Sequence, residues 1–170
     1  KAISPNAVGY LDIPAIDLNV PIAQCDDNDY YIDHAITGAY HSYGCPFIDY
    51  RIEEGINARN PIIYGHSMKN GAMFGMLTKY LTPAFYNTKG NKYIYLYCEE
   101  GIYIYEIFSV YITNAYDDGV YVFSYPTDSS YENYLINVKG KSYFNTGVSV
   151  SPSDKIITLS TCYDEKEARL

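Results

Sequence analysis

A single, mostly β domain is what this sequence predicts, on three observations. Short β-branched and aromatic runs with period-two alternation recur along the chain. Tyr supplies 22 residues against 6 Phe and no Trp, so many strands carry hydroxyl-tipped rings that straddle core and water. At 170 residues the chain can bury a core without staples, and no linker, repeat or low-complexity tract divides residues 1–170. Many short strands with few helices fit a closed barrel or a sandwich.

The elements justify this in order. Strands are expected over 8–13 and 20–23. Residues 61–64 form a short buried strand, and Gly65 permits the turn that releases His66 at its end. Asn70 is placed as an N-cap, with Met73, Leu77, Tyr80 and Leu81 at helical spacing behind it. The runs 93–97 and 102–107 pair as a hairpin around Glu99-Glu100-Gly101, and 108–113 forms a further strand. Ser129 and Glu132 make a capping box for a helix at about 129–139. Tyr131, Tyr134, Leu135 and Val138 lie on one face of it, and Gly140 is its stop. Residues 156–162 read as a strand, with Ile157, Leu159 and Thr161 on one face. Ile156, Thr158, Ser160 and Cys162 lie on the other, which becomes more polar towards the cysteine. Residues 164–167 are too polar to continue that strand. Arg169 then opens a return strand beside Cys162.

Charge and cysteine usage exclude several functions. A formal net charge of −8 argues against a nucleic-acid backbone as partner and weakens attraction to an anionic membrane face. No apolar run is long enough for a transmembrane segment. The sequence opens at Lys1 without Met, as a trimmed ectodomain would. Cys25 and Cys45 can be drawn as a pair, but a core of this size needs no bridge. Cys98 sits in an alternating strand and reads as packing. His34, His41, His66 and the cysteines lack close zinc-ligand spacing, so no metal is expected, and His34 and His41 read as surface residues.

Cys162, His66 and Arg169 together supply a thiol, an imidazole and a fixed positive charge. Those groups attack an amide carbonyl, shuttle a proton and hold an oxyanion. Singly each has a plainer reading: a small buried hydrophobe, a loop or core histidine, a surface charge. Their joint placement at strand ends favours a thiol catalyst, whose Cys and His are spatial rather than sequential neighbours.

Thr158-Leu159-Ser160-Thr161-Cys162 resembles the Thr-Leu-x-Thr-Cys element of sortases, the cell-wall transpeptidases of Gram-positive bacteria. Tyr64-Gly65-His66 is similar to the segment carrying their histidine, and Arg169 fills their arginine position. Gln24-x-x-Asp27-Asn28-x-x-Tyr31 and Gly44-x-x-Phe47-x-Asp49-Tyr50-Arg51 resemble the N-terminal region of class B sortases, as does the stretch between Asp128 and Phe144. The resemblance selects a closed β-barrel with peripheral helices, including an N-terminal helical segment. It implies Cys162 as nucleophile, His66 as general acid and base, and Arg169 as oxyanion or backbone donor, with no cofactor.

It further implies cleavage of a C-terminal sorting signal, Asn-Pro-x-Thr or related, after Thr. A thioacyl-enzyme would then pass the surface protein to a peptidoglycan cross-bridge amine, with hydrolysis as a side reaction. Ser160, Asn28, Ile32 and Tyr121 become substrate-binding candidates; their plainer readings are strand packing for Ser160 and Ile32, a turn cap for Asn28 and packing for Tyr121. The implied setting is a monomer on the extracellular face of the cell membrane, its N-terminal anchor removed. Two departures stand out. The Cys-to-Arg spacing of seven (169 − 162) is short for class B. Sortases also continue the arginine strand with an apolar run, so a clipped C-terminus is expected, with Arg169 on a fraying end if nothing follows. The rival functions are a non-catalytic peptide-binding or pilin-assembly module on the same barrel, and a hydrolytic cysteine peptidase.

Overall fold

The computed structural model describes residues 4–161 and 168–170. Its first strand, β1 (Ala7–Ile13), shows the alternation that builds the rest. Leu11 and Ile13 are wholly buried, while Tyr10 and Asp12 between them turn towards solvent, as the period-two pleat requires. A left-handed Asp17 (φ 53°) ends a short 3-10 turn and returns the chain as β2 (Leu18–Ala23), antiparallel to β1. A long irregular excursion follows before β3 (Phe47–Ile48) and β4 (Ile62–Tyr64). The expected hairpin is β5 (Tyr93–Cys98) with β6 (Gly101–Glu106), in register from Tyr93 opposite Glu106 to Cys98 opposite Gly101.

One seven-stranded sheet runs β6-β5-β1-β2-β3-β4-β8, where β8 is Thr158–Ser160. β2 with β3, and β4 with β8, are parallel pairs. A separate ribbon joins β7 (Thr113–Asn114) to β9 (Ala168–Arg169). Leu170 and Thr161 exchange two backbone hydrogen bonds of 3.0 Å, so the ribbon is tied to the end of β8. The curled sheet wraps a core of Leu11, Ile13, Ile22, Ile48, Ile63 and Phe74.

Three sequence expectations change in detail. The helix after His66 is a 3-10 helix, Phe74–Leu81, and Asn70 does not cap it. Its buried residues Phe74, Leu77 and Tyr80 recur every third position, the 3-10 repeat; Asn70 instead closes a turn by accepting from the Ala72 amide. The helix expected at about 129–139 is α2, Asp128–Gly140, and follows α1 (Pro83–Tyr86). Its capping box pairs Thr127 with Ser130, not Ser129 with Glu132, because Thr127 is the residue in extended conformation (φ −142°, ψ 159°). Gly140 is its last turn rather than the residue beyond. The expected buried face, Tyr131, Tyr134, Leu135 and Val138, is as read.

The strand expected over 108–113 shortens to β7. The chain before it lies in no sheet and is satisfied by other groups: the Tyr143 amide donates to the Val110 carbonyl at 2.9 Å, and Thr146 Oγ1 to that of Phe108 at 2.8 Å. In place of an N-terminal helical segment, the only helical elements among the described residues before β3 are the three-residue 3-10 turns Pro14–Ile16 and Tyr30–Ile32. Cys25, Cys45 and Cys98 are free thiols, so Cys25 and Cys45 do not pair.

A buried amide links sheet and helix. Asn60, 2 % exposed, donates from Nδ2 to the hydroxyls of Tyr125 and Tyr134 and accepts from Thr158 Oγ1. Every polar atom carried inside by these tyrosines thereby finds a partner, as burial demands.

Candidate active site

His66 emerges where the sequence places it, between a strand end and a helix start. Tyr64, two residues earlier, pairs with Ser160 across β4 and β8. The Gly65 amide donates to the Ser160 carbonyl at 3.1 Å, and Thr161 Oγ1 donates to the Gly65 carbonyl at 2.7 Å. On the other side the Phe74 amide donates to the His66 carbonyl. Gly65 is required for a reason other than the turn: its φ is not positive, but a Cβ there would lie 2.7 Å from the Phe74 ring. The aromatic ring underneath presses the backbone of residue 65 directly.

The imidazole is held by a carbonyl. His66 Nε2 lies 2.7 Å from the Ile32 oxygen, which can only accept. Nε2 therefore carries a proton, and Nδ1 is the nitrogen left to exchange one. Ile32 is at the end of the Tyr30–Ile32 turn, with its side chain 41 % exposed. The turn is itself capped: Asp27 Oδ1 accepts from the amides of Asp29 and Tyr30, which holds its carboxyl below the ordinary carboxylate range. Gly44 packs against the same carbonyls at φ +61°, where a Cβ would come 2.2 Å from the Tyr31 oxygen and 2.5 Å from that of Ile32. Gly44→Ala is expected to cost about 1–3 kcal/mol and to move the Ile32 carbonyl off His66, seen as a lowered melting temperature together with a shifted His66 ring signal.

The other candidates fall into separate places. Ser160 is 3 % exposed and its Oγ lies 3.0 Å from the Tyr121 hydroxyl. Asn28 donates to Asp49 Oδ2 and accepts from the Tyr50 amide. Arg169 lies opposite Thr113 in the ribbon, with Nη1 donating to the Ala168 carbonyl at 3.1 Å. The expected return strand is present, since Leu170 pairs with Thr161. Cys162 lies outside the described residues. An apolar cavity of about 280 Å³ is lined by Ile104, Tyr121, Leu159, Ser160 and Arg169 among others; His66, Asn28 and Ile32 are not part of its wall.

Sequence reading assigned no role to Asp49, Arg51 or Tyr64. Asp49 is wholly buried and accepts from the Arg51 amide and Nε at Oδ1, and from Arg51 Nη2, Asn28 Nδ2 and the Tyr64 hydroxyl at Oδ2. Burial pushes its pKa up, but the Arg51 and Tyr64 hydrogen bonds and the Arg51 charge outweigh that and leave it below the ordinary value. The signal was an Asp and an Arg two residues apart after an apolar run, which marks a charge the strand carries inside.

Its linkage sign follows. A carboxyl lowered in the folded state stabilises above the unfolded pKa of about 4, and that stabilisation is lost as pH falls through the folded pKa. Urea midpoints between pH 6 and pH 3 are therefore expected to converge for the parent and Asp49→Asn as the solution becomes acidic. A gap between them that stays constant over that range contradicts this.

The environments of the three described thiols favour the protonated form. Burial pushes Cys45 up to about 12, and burial also raises Cys25 and Cys98. Among the described residues no group of three or more His, Cys, Asp and Glu is placed to hold a metal ion.

Comparison with known proteins agrees with this architecture. The sortase domain model matches residues 11–170. Sortase B of Listeria monocytogenes is 39% identical over 170 residues, covering 98% of this chain and 67% of that protein. Sortase B of Staphylococcus aureus is 32% identical over 164 residues, covering 96% of this chain and 66% of its own length. The chain thus spans about two thirds of these relatives. The crystal structure of Clostridium perfringens sortase B superposes with a TM-score of 0.89 at 33% identity, over 98% of this chain and 91% of that one. A Staphylococcus aureus sortase B–substrate complex gives 0.88 at 31%, over 98% and 77%. A mostly β sheet with few helices, a histidine at the end of β4 and a family match over nearly the whole chain lead to one conclusion: this chain belongs to the sortase family, and within it to class B.

Proposed function

We propose that the chain is a cysteine transpeptidase in which Cys162 and His66 act on a C-terminal sorting signal. One observation carries this reading. β4 and β8 pair in parallel with a constant offset of 96 residues, seen again in the Thr161–Gly65 hydrogen bond. The ladder ends at Tyr64 opposite Ser160, and the Thr161–Gly65 bond carries the contact to the residue before His66; Cys162, the next residue in the sequence after Thr161 and 96 residues after His66 (162 − 66), is the thiol we nominate. The raised pKa values of the other three cysteines support the choice of nucleophile.

The chemistry follows from the geometry. The Cys162 thiolate attacks the carbonyl of the signal's Thr, and the tetrahedral oxyanion is met by a fixed donor, for which Arg169 is the candidate. With Nε2–H committed to Ile32, Nδ1–H of the imidazolium protonates the leaving amine as the C–N bond breaks, giving a thioacyl-enzyme. Nδ1 then removes a proton from the incoming amine, which attacks the thioester and expels the thiolate. Ser160, Tyr121, Asn28 and Ile32 serve the substrate side of this path, Ile32 through the carbonyl that orients His66. Ser160 and Tyr121 act as a bonded pair, and Asn28 acts through the turn that it anchors. The β7–β9 ribbon, tied to Thr161 through Leu170, carries Arg169 at the end of β8.

The signal is of the Asn-Pro-x-Thr type, the acceptor a peptidoglycan amine, and the enzyme works as a monomer on the extracellular face of a Gram-positive cell membrane. Among the described residues no helix is long and apolar enough to cross a membrane. The test is a sorting peptide cleaved with hydroxylamine present. Conversion of the product to a hydroxamate supports transpeptidation. Release of free acid alone, at any hydroxylamine concentration, makes the protein a peptidase; peptide binding without cleavage makes it a binding module.

A further inference from the structure

We propose that Asp49 is a positioning residue for His66, acting through two arms that meet at the imidazole. The proposal rests on the reading of His66 as proton shuttle. The first arm is short: the Tyr64 hydroxyl donates to Asp49 Oδ2 at 2.9 Å, and Tyr64 is the residue in β4 two before His66. The second arm runs through the loop. Asn28 Nδ2 donates to the same oxygen at 3.1 Å, and its own Oδ1 accepts from the Tyr50 amide at 3.1 Å. Four residues on, the Ile32 carbonyl accepts a hydrogen bond from His66 Nε2 at 2.7 Å.

Little slack separates Asn28 from Ile32. Asp27 Oδ1 ties the amides of residues 29 and 30, and the Ile32 amide donates to the Asp29 carbonyl. A shift of the Asn28 side chain is therefore passed on to the Ile32 oxygen rather than absorbed. Gln24 holds the opposite side, its Nε2 donating to the Asp49 and Ile52 carbonyls. One carboxylate thus sets the angle of the strand that bears the histidine and the place of the carbonyl that orients its ring.

Fold stability alone gives no reason for a charge here. Burying a carboxylate against a guanidinium seldom exceeds the stability of well-packed apolar side chains in the same volume. Arg51 neutralises the charge with two side-chain hydrogen bonds, Nε at 2.9 Å and Nη2 at 2.7 Å, and its guanidinium lies 3.7 Å from the Phe123 ring centroid. Besides Arg51 Nη2, Oδ2 takes two directional bonds that an apolar residue could not, from Asn28 Nδ2 and the Tyr64 hydroxyl. Both go to segments leading to His66.

The experiment reads the ring directly. Nitrogen NMR of His66 at neutral pH is recorded for the parent, Asp49→Asn and Tyr64→Phe, with kcat and KM on a sorting peptide. In the parent, Nε2 is expected to be the protonated nitrogen of the neutral ring. In Asp49→Asn the signals should move towards the tautomer mixture of a free imidazole, and kcat should fall about 10- to 100-fold, the range for misplacement on the order of 1 Å, with KM changed less than about twofold. Tyr64→Phe, which removes only a hydroxyl, should show the same change at smaller amplitude.

Unchanged His66 signals in folded Asp49→Asn overturn the proposal, whatever happens to the rate. Should Asp49→Asn fail to fold, Tyr64→Phe decides alone: a shifted ring supports the positioning role and an unshifted one removes it. A parent protein with no transpeptidase activity would count against the proposed reaction, while the ring signals would still test the arms.

Discussion

His66→Ala is expected to lower kcat for sorting-peptide cleavage by about 10²- to 10⁴-fold, the range for loss of a positioned general acid and base. Its effect on folding should be slight. The ring is partly exposed, and its hydrogen bond among the described residues is to the Ile32 carbonyl, a contribution of about 1 kcal/mol. Peptide turnover and a thermal melt on the same preparation separate the two effects. A melting temperature that falls as far as the activity would make His66 a structural residue. Retained activity would remove it from the reaction.

Phe74→Ala is expected to be the most damaging change to the fold near the site. Phe74 is wholly buried, opens the 3-10 helix, and its amide fixes the His66 carbonyl. Truncating a buried Phe costs about 3–5 kcal/mol, on the order of 10 °C in melting temperature for a domain of this size. The Gly65 backbone also loses the ring it rests on. Calorimetry of Phe74→Leu alongside Phe74→Ala is the check: Leu should recover a large part of the loss. Equal melting temperatures for Ala and parent would contradict the packing account.

How far the sequence discloses this molecule depends on the range of the interaction involved. Alternation in 93–97 and 102–107 is local, and the β5–β6 hairpin appears as read. The apolar stripe of α2 is local as well, and its buried face is as expected. Errors gather where a nearby group competes for the same role. Thr127-x-x-Ser130 and Ser129-x-x-Glu132 have the same spacing, and only the backbone conformation at 127 decides between them. Phe74, Leu77 and Tyr80 carry a period of three that Met73 and Leu81 obscured. The run 108–113 has strand composition, yet the loop after α2 supplies the partners for its carbonyls.

The site divides along the same line. His66 was legible because a short apolar strand followed by Gly-His projects a side chain from a strand end. Its orienting partner was not, because a backbone carbonyl such as that of Ile32 leaves no mark in composition. The role of Asp49 is not legible either, since its partners Asn28 and Tyr64 lie 21 and 15 residues away. The parallel pairing of β4 with β8 is the long-range fact that brings Gly65, beside His66, against Thr161.

The most direct measurement is the intact mass of the protein mixed with a panel of sorting peptides. A mass increase equal to the acyl fragment ending in Thr, mapped to Cys162 and lost in Cys162→Ala, is the result expected. No adduct with any peptide that binds, or an adduct that survives in Cys162→Ala, would contradict the account.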